Sequence, residues 1–358
     1  MIQFELPDEE ALLLKETAER FVTEKYTLPQ REKMLEGPID AKPACWAVMA
    51  ELGWLAAPLP ENVGGLGLKV GQITPFLAKL GAGMILEPVV EVTMHCAPTI
   101  ARALPIDRAV KVLEAILSGE SLEVTVTGSP ISAILSGDSF VLDGCAELVL
   151  GGAFADAFWV VARSGSDSLL VRVTRDQVQI EPFRLLDGQA AGRITFDEVT
   201  CAKSEAILAC ADAVAYGDDM SMVGQIAEMT GLIEALYRDT LDYVKLREQF
   251  GRPIGRFQAV QHRMADIFIK HEEAQSMAQL AAAAMDAMDD AYRRHLVLAA
   301  RIKVSENARA VLRDAVQLHG GMGVTDELPV GQRVKRLLVL TQIGGNRGDH
   351  LKRFRSAA

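Results

Sequence analysis

The spacing of apolar positions changes its period twice along the chain. Up to about residue 118 the period is helical. Pro7-Asp8 opens a first amphipathic helix, with Leu12, Leu13, Ala18, Phe21 and Val22 broadly on one side, and residues 43–52 make another. A glycine-rich turn at 61–68 separates that helix from one carrying Phe76, Leu77 and Leu80. The last helix of the block, 107–117, stops at Ser118-Gly119. From Glu123 to about Leu208 the pattern alternates instead. Short β-branched and aromatic runs at 139–152, 157–165, 168–176, 178–183 and 192–201 are punctuated by Gly-Asp, Asp-Gly and Ser-Gly pairs. Such runs predict an antiparallel β-domain. From Ser221 helices return and lengthen, with strong helix formers through 272–288 and 296–318. Met277, Met285 and Met288 are expected to fill core there. Helices, strands and helices in that order predict an α+β protein in three parts: an N-terminal helical domain (1–119), a middle β-domain (120–210) and a C-terminal helical domain (211–358).

The last part is interrupted at 247–262, Arg-Glu-Gln-Phe-Gly-Arg-Pro-Ile-Gly-Arg-Phe-Gln-Ala-Val-Gln-His. Tyr243, Leu246 and Phe250 continue an apolar stripe, and Arg247 and Phe250, three apart, are expected to share a helix face. Gly251, Pro253 and Gly255 stop that helix. Phe257 opens the next, with Val260, Met264 and Ile267 or Phe268 inward. The break gathers a guanidinium, two glutamines and the free N–H groups of a helix start, which suit a phosphate diester or an adenine edge. Taken alone, a kinked core hairpin of helices accounts for it equally well. Further on, Gln317-Leu318-His319-Gly320-Gly321-Met322-Gly323 ends a helix in glycines that let a backbone or ligand come close.

Composition narrows the choices. Almost half of the 358 residues are apolar, yet no run approaches eighteen, so a membrane span is not expected. The N-terminus carries acids and no basic segment, which argues against a signal peptide and for a cytoplasmic protein. A net charge of −11 makes nucleic acid a poor partner, so any phosphate must be met by local Arg or Lys. Five scattered cysteines without C-x-x-C spacing read as reduced buried thiols. The six histidines lack ligand spacing, so no metal site is expected.

The two interrupted stretches, R-x-x-F-G-x-x-x-x-x-x-Q and Q-x-x-G-G-x-G about seventy residues apart, are far more specific together than either alone. They resemble the acyl-CoA dehydrogenase family, flavoproteins that desaturate acyl-CoA thioesters between Cα and Cβ. The resemblance extends to Glu51-Leu52-Gly53-Trp54, Pro60-Glu61-Asn62-Val63-Gly64-Gly65-Leu66-Gly67 and Gly192-Arg193-Ile194-Thr195-Phe196-Asp197-Glu198-Val199. It implies helical, antiparallel β and four-helix-bundle domains, FAD as cofactor, and a glutamate that removes the α-proton while flavin accepts the β-hydride. In the family that glutamate lies in a C-terminal Y-E-G-T turn or early in the first helix of the last domain. The corresponding positions here are Gly345 and, counted back from Phe250-Gly251, Ser221. Neither is a carboxylate. Asp218, Asp219 and Glu228 lie nearby in sequence. The flavin-facing motifs are altered as well. Val124-Thr125-Val126-Thr127-Gly128-Ser129-Pro130 stands for T-E-P-G-A-G-S-D, and Leu148-Val149-Leu150-Gly151-Gly152 for W-I-T-N-G.

What the resemblance leaves intact is the set acting across a subunit interface, where one chain's flavin sends its adenosine diphosphate tail to a neighbour. Arg247 would meet the pyrophosphate, Phe250 the adenosine, and Gln258 and Gln317 the adenine edge or pyrophosphate. Gln249 belongs to the same motif, and Gly320 and Gly321 would admit the tail. The resemblance thus implies a base-lacking subunit of a heteromeric acyl-CoA dehydrogenase. This chain would complete the FAD site of a homologous partner subunit that acts on an acyl-CoA, with an electron-transferring flavoprotein as the usual acceptor. Two other readings stand beside it. One is a homo-oligomeric dehydrogenase with a displaced acid, Asp219 or Glu228. The other is a non-catalytic scaffold.

Overall fold

A computed structural model describes residues 8–285, 289–325 and 327–356; the expectations for Pro7 and Met288 lie outside them. Helix α1 (Glu9–Lys25) starts where the Asp8 carboxylate accepts the Ala11 N–H at 2.9 Å. Its buried line is Ala11, Leu14, Ala18 and Phe21, stepping by three and four. Leu12 and Leu13, expected inward, are exposed, because neighbours on a helix point a hundred degrees apart and Leu14 takes the inner place. Next come α2 (Leu28–Leu35), α3 (Trp46–Glu51) and α4 (Val70–Ala82), the last burying Phe76, Leu77 and Leu80 as expected. A π-helical stretch, Val90–Cys96, leads into α5 (Ala97–Ala103) and α6 (Ile106–Leu117).

The strands are β1 (Glu123–Val126), β2 (Ser132–Ser136), β3 (Ser139–Leu150), β4 (Ala157–Ser164), β5 (Asp167–Thr174), β6 (Gln179–Arg184) and β7 (Ala190–Ala202). They form a sheet in the order β1-β4-β2-β3-β7-β6, with β5 paired to β4. The sheet is mixed, not purely antiparallel as expected. β1 enters from the helical block without a hairpin and runs parallel to β4, from Glu123 against Ala157 to Val126 against Val160. Gly137-Asp138 and Gly165-Ser166 make two-residue turns, their glycines at positive φ. Asp143-Gly144 is no turn. It sits within β3 at a register shift, where a Cβ on Gly144 would press on the Pro130 carbonyl at 2.6 Å. Every residue of β1 is buried, so Glu123 needs neutralising. The Arg172 guanidinium donates to it at 2.6 and 3.1 Å and the Trp159 indole at 2.7 Å.

Helix α7 (Ala211–Leu246) is followed by the short hairpin β8 (Glu248–Gln249) and β9 (Arg252–Pro253), then α8 (Gln258–Ala284), α9 (Asp290–His319), α10 (Pro329–Leu340) and α11 (Arg347–Ser356). The chain divides into two compact units. One holds Glu32–Lys69 and Leu86–Ser221, hence the sheet and the first turns of α7. The other holds the chain up to Arg31, Val70–Ile85 and everything from Met222.

Within this second unit α7 to α10 form the helical bundle. The Tyr237 ring stacks on His271, and the Asn307 amide donates to the Lys270 carbonyl. Arg301 on α9 is completely buried, and burial pulls its pKa down to about 10. Its Nη2 donates to the carbonyls of Leu340 and Ile343 at 2.6 and 2.9 Å, closing the end of α10. On α7, both carboxylate oxygens of Glu228 accept from Nη2 of Arg336, also buried, at 3.1 and 2.9 Å. Removing one member of such a pair leaves a buried charge without its counter-ion. Arg336→Leu is therefore expected to destabilise the protein by about 3–5 kcal/mol in urea titration.

Candidate functional site

The interrupted stretch is built differently from the helix–break–helix of the sequence pattern. α7 ends at Leu246, with the Arg247 N–H donating to the Tyr243 carbonyl at 2.8 Å. Phe250 then lies on no helix face. It and Gly251 form the two-residue tip between β8 and β9, with φ of 55° and 78°. Positive φ at both centres is what such a tight hairpin demands, and it is a costly conformation for phenylalanine. Phe250 is nevertheless 91% exposed, meeting the Phe257 ring edge-on at 6.1 Å, and Leu246 is 81% exposed. Phe268, a candidate for the inward face of α8, is exposed too, while Met264 and Ile267 are buried. A strained, solvent-facing aromatic is a costly arrangement that a ligand or partner would explain.

Three helix ends meet here. The Tyr243 ring near the end of α7 stacks on His319 at the end of α9, centroids 4.3 Å apart, and its hydroxyl donates to the His319 carbonyl at 3.5 Å. Arg263 in the second turn of α8 pairs with Asp314 of α9 at 2.7 Å. These contacts bring Arg247, Gln258, Gln317, Gly320 and Gly321 to one end of the bundle. The side chains of Arg247, Gln258 and Gln317 are exposed and bonded to none of the described residues; the Gln249 amide donates to the Glu248 carbonyl. Gly320 has φ 63°, and a Cβ built on it or on Gly321 would meet nothing within 4 Å. A guanidinium, two uncommitted amides, an exposed aromatic ring and bare backbone fit the adenosine diphosphate end of FAD. Sequence reasoning missed Tyr243–His319 and Arg263–Asp314, because ring stacking and pairing between helices leave no spacing signal.

The two positions that the resemblance makes equivalent to the family base lie in different settings. Gly345 has φ 119°, and a Cβ there would lie 3.2 Å from the Asp349 Cβ. The turn is wound tight by Asn346, whose N–H donates to Asp349 and whose amide oxygen accepts the Gly348 N–H at 2.7 Å. Arg347, in the same turn, pairs with Glu306 at 2.6 Å. Ser221 lies half-buried on α7. Asp219 is fully buried, and Glu228 is held by Arg336. Asp218 is different: His95 Nε2 and the Thr127 hydroxyl both meet its Oδ1, at 3.1 and 3.3 Å. At the altered W-I-T-N-G segment, Val149 is buried and Gly151 packs on Pro88, where a Cβ would come within 3.0 Å of the proline ring. Among the described residues no group of three or more His, Cys, Asp or Glu could hold a metal ion, and no helix is long and apolar enough to cross a membrane.

Comparison with known proteins bears on the same residues. Family models for the acyl-CoA dehydrogenase N-terminal and C-terminal domains match residues 8–120 and 219–353. The acyl-CoA dehydrogenase IpdE2 of Mycobacterium tuberculosis (strain ATCC 25618 / H37Rv) is 27% identical over 355 residues, 98% of each chain. Among solved structures, the ChsE4-ChsE5 complex from Mycobacterium tuberculosis superposes with a TM-score of 0.90 at 23% identity, covering 99% of this chain and 98% of that one. A variant of the Tcur3481-Tcur3483 steroid ACAD gives 0.87 at 25% identity, covering 98% and 97%.

Phe250→Asn is expected to stabilise the isolated chain by about 1 kcal/mol, since asparagine tolerates positive φ and the exposed ring buries little; thermal denaturation reads this. A second prediction concerns His350, buried against the Gly345 turn. Burial, then the Arg301 and Arg353 charges, push its pKa from 6.5 down to about 4. Between those values the unfolded chain binds a proton that the folded chain refuses, so stability falls as pH drops through this window. His350→Met is expected to flatten that acid limb when denaturation midpoints at about pH 4.5 and 7 are compared.

Proposed function

Since the chain belongs to the acyl-CoA dehydrogenase family, whose cofactor is FAD, we propose that it is the subunit of a heteromeric enzyme that completes a homologous partner's FAD site without supplying the catalytic glutamate. The observation carrying this reading is an asymmetry. The side chains of Arg247, Gln258 and Gln317, near Gly320 and Gly321, are bonded to no described residue, while the two positions that the resemblance gives to the family base are Gly345 and Ser221. When bound, FAD supplies the acceptor for the hydride that leaves Cβ of an acyl-CoA thioester. The part of this chain is binding and orientation. The Arg247 guanidinium neutralises pyrophosphate charge, Gln258 and Gln317 donate to its oxygens or to the adenine edge, and Phe250 covers the adenosine.

The relatives support a two-component assembly. ChsE4-ChsE5 is a complex, and Tcur3481-Tcur3483 is called a steroid ACAD, so a bulky sterol-derived acyl-CoA is the substrate class we favour. An electron-transferring flavoprotein would take the electrons onward, in the cytoplasm. The burial of Asp219 and the pairing of Glu228 with Arg336 count against a homo-oligomer using either as its base, because an acid must reach substrate to take its proton. The uncommitted Arg247 counts against a pure scaffold.

The test is flavin content. Expressed alone, the chain is expected to be colourless and inactive; co-purified with the homologous partner it gives flavin absorbance and dehydrogenase turnover. Arg247→Ala is expected to lower flavin affinity of the complex about tenfold or more, the worth of a charge-assisted bond to phosphate. A yellow, active preparation of the single chain would overturn the proposal.

A further inference from the structure

Away from the cofactor-tail end, the bundle leaves an apolar groove open where α8 lies along α9. The outer line of α8 steps by three and four through Ala265, Phe268 or Ile269, Glu272 and Ser276, and it carries large apolar groups where a solvated face would carry charge. Phe268 is 45% exposed and Ile269 51%. With Met277 and, from α9, Lys303 they line a groove of about 420 Å³. The Phe268 ring is held from behind, by the Tyr237 ring at 5.7 Å and the His271 ring at 6.4 Å. An exposed aromatic fixed in this way has little rotamer freedom left to lose, which suits an interface anchor. The groove begins ten residues beyond Gln258, about 15 Å along the helix, so it is a separate surface.

Charge on its rim is divided unevenly. Glu273 sits between two cations, Lys303 at 3.0 Å and Lys270 at 3.2 Å, so that trio carries one positive charge in excess. Hydrogen bonding to Lys303, ahead of Lys270, holds the Glu273 carboxyl below its usual value, which keeps this balance at neutral pH. Glu272, the next residue, is the reverse. It is exposed, and among the described residues only the His271 ring stands within ion-pair distance of it, at 3.1 Å. The Ser276 hydroxyl donates back to the Glu272 carbonyl and leaves a shallow place beside Met277. One stretch of helix thus shows two protruding apolar groups, a place to receive them, a surplus cation and an anion to meet it.

We infer that a second copy of this chain docks in this groove, α8 against α8 about a two-fold axis that passes beside Glu272. A two-fold contact requires a single patch to complement itself. In an antiparallel pair centred between Glu272 and Glu273, Phe268 lies over Met277 of the second copy and Ile269 over its Ser276, bulky groups against a pliable one and a small one. Glu272 meets the Lys270–Glu273–Lys303 trio of the second copy, anion against surplus cation, and the axis repeats every contact. A chain of different sequence would have to supply both matches separately, whereas a second copy supplies them by symmetry. This goes beyond the subunit reading above and does not depend on it, since two copies meet here whichever chain covers Arg247.

Sedimentation velocity of the full-length single chain over a dilution series is expected to show a monomer–dimer equilibrium. Phe268→Glu is expected to weaken it about thirtyfold or more, the scale of a central anchor, with the circular dichroism unchanged. Lys303→Glu is expected to weaken it too, and adding Glu272→Lys to restore part of the loss, a rescue that a merely structural role of either residue would not give. Glu272→Cys is expected to form a disulfide-linked homodimer on mild oxidation, both in the single chain and in the complex co-purified with the homologous partner, where the unsubstituted chain forms none. A monomer at every concentration would overturn the inference. So would self-association that Phe268→Glu leaves unchanged, or cross-linking of the Glu272→Cys chain to the homologous partner in place of a second copy. Failure of the subunit reading shows separately, as flavin and turnover in the single chain.

Discussion

The stacking of Tyr243 on His319 is the contact on which the proposed cofactor-tail site depends. It joins two helix ends about seventy-five residues apart in sequence, each leading directly into a stretch with uncommitted polar groups. Without it Arg247 and Gln317 would be two unrelated surface residues. A stacked aromatic pair contributes only about 0.5–1.5 kcal/mol beyond its burial, so the contact is better seen as setting the register of two helices whose cores hold themselves together. The rest of that core is held by burying charge in pairs and on carbonyls. Arg301 closes the end of α10, and Glu228 fastens α7 to α10 through Arg336.

Those same buried groups bear on the proposal that this chain supplies no base. Glu228, one of the acids near the expected base position in sequence, is paired with the buried Arg336 guanidinium. Gly345 has a φ that L-residues seldom adopt, and its missing side chain would run into α11. A glutamate at that position would therefore strain the turn.

The bundle end and the His95–Asp218–Thr127 cluster show two ways of presenting polar groups. At the bundle end the donors are exposed and free, and the cost is carried by a strained phenylalanine at a hairpin tip. In the cluster a carboxylate is fixed through one oxygen by neighbours from a π-helix and a strand end. The first arrangement suits a ligand or partner that arrives from outside.

Period and punctuation were enough to place most elements. The strand runs, the buried face of α4 and the long final helices follow from spacing that any tertiary setting must respect. The two motifs about seventy residues apart carried the family, and with it the cofactor. Other features were decided only in three dimensions. Leu12 and Leu13 lost the inner face of α1 to Leu14, because a helix can bury only one line of residues against a given neighbour. Asp143-Gly144 became a bulge, because the Pro130 carbonyl lies where a side chain would be. Phe250 left the helix for a hairpin tip, since the glycine after it permits a two-residue turn that apolar periodicity does not encode. Asp218 lay beside the two displaced-acid candidates, Asp219 and Glu228, in the sequence. Burial of Asp219 and pairing of Glu228 left it alone with an open oxygen, and those are properties of neighbours that the chain order does not contain.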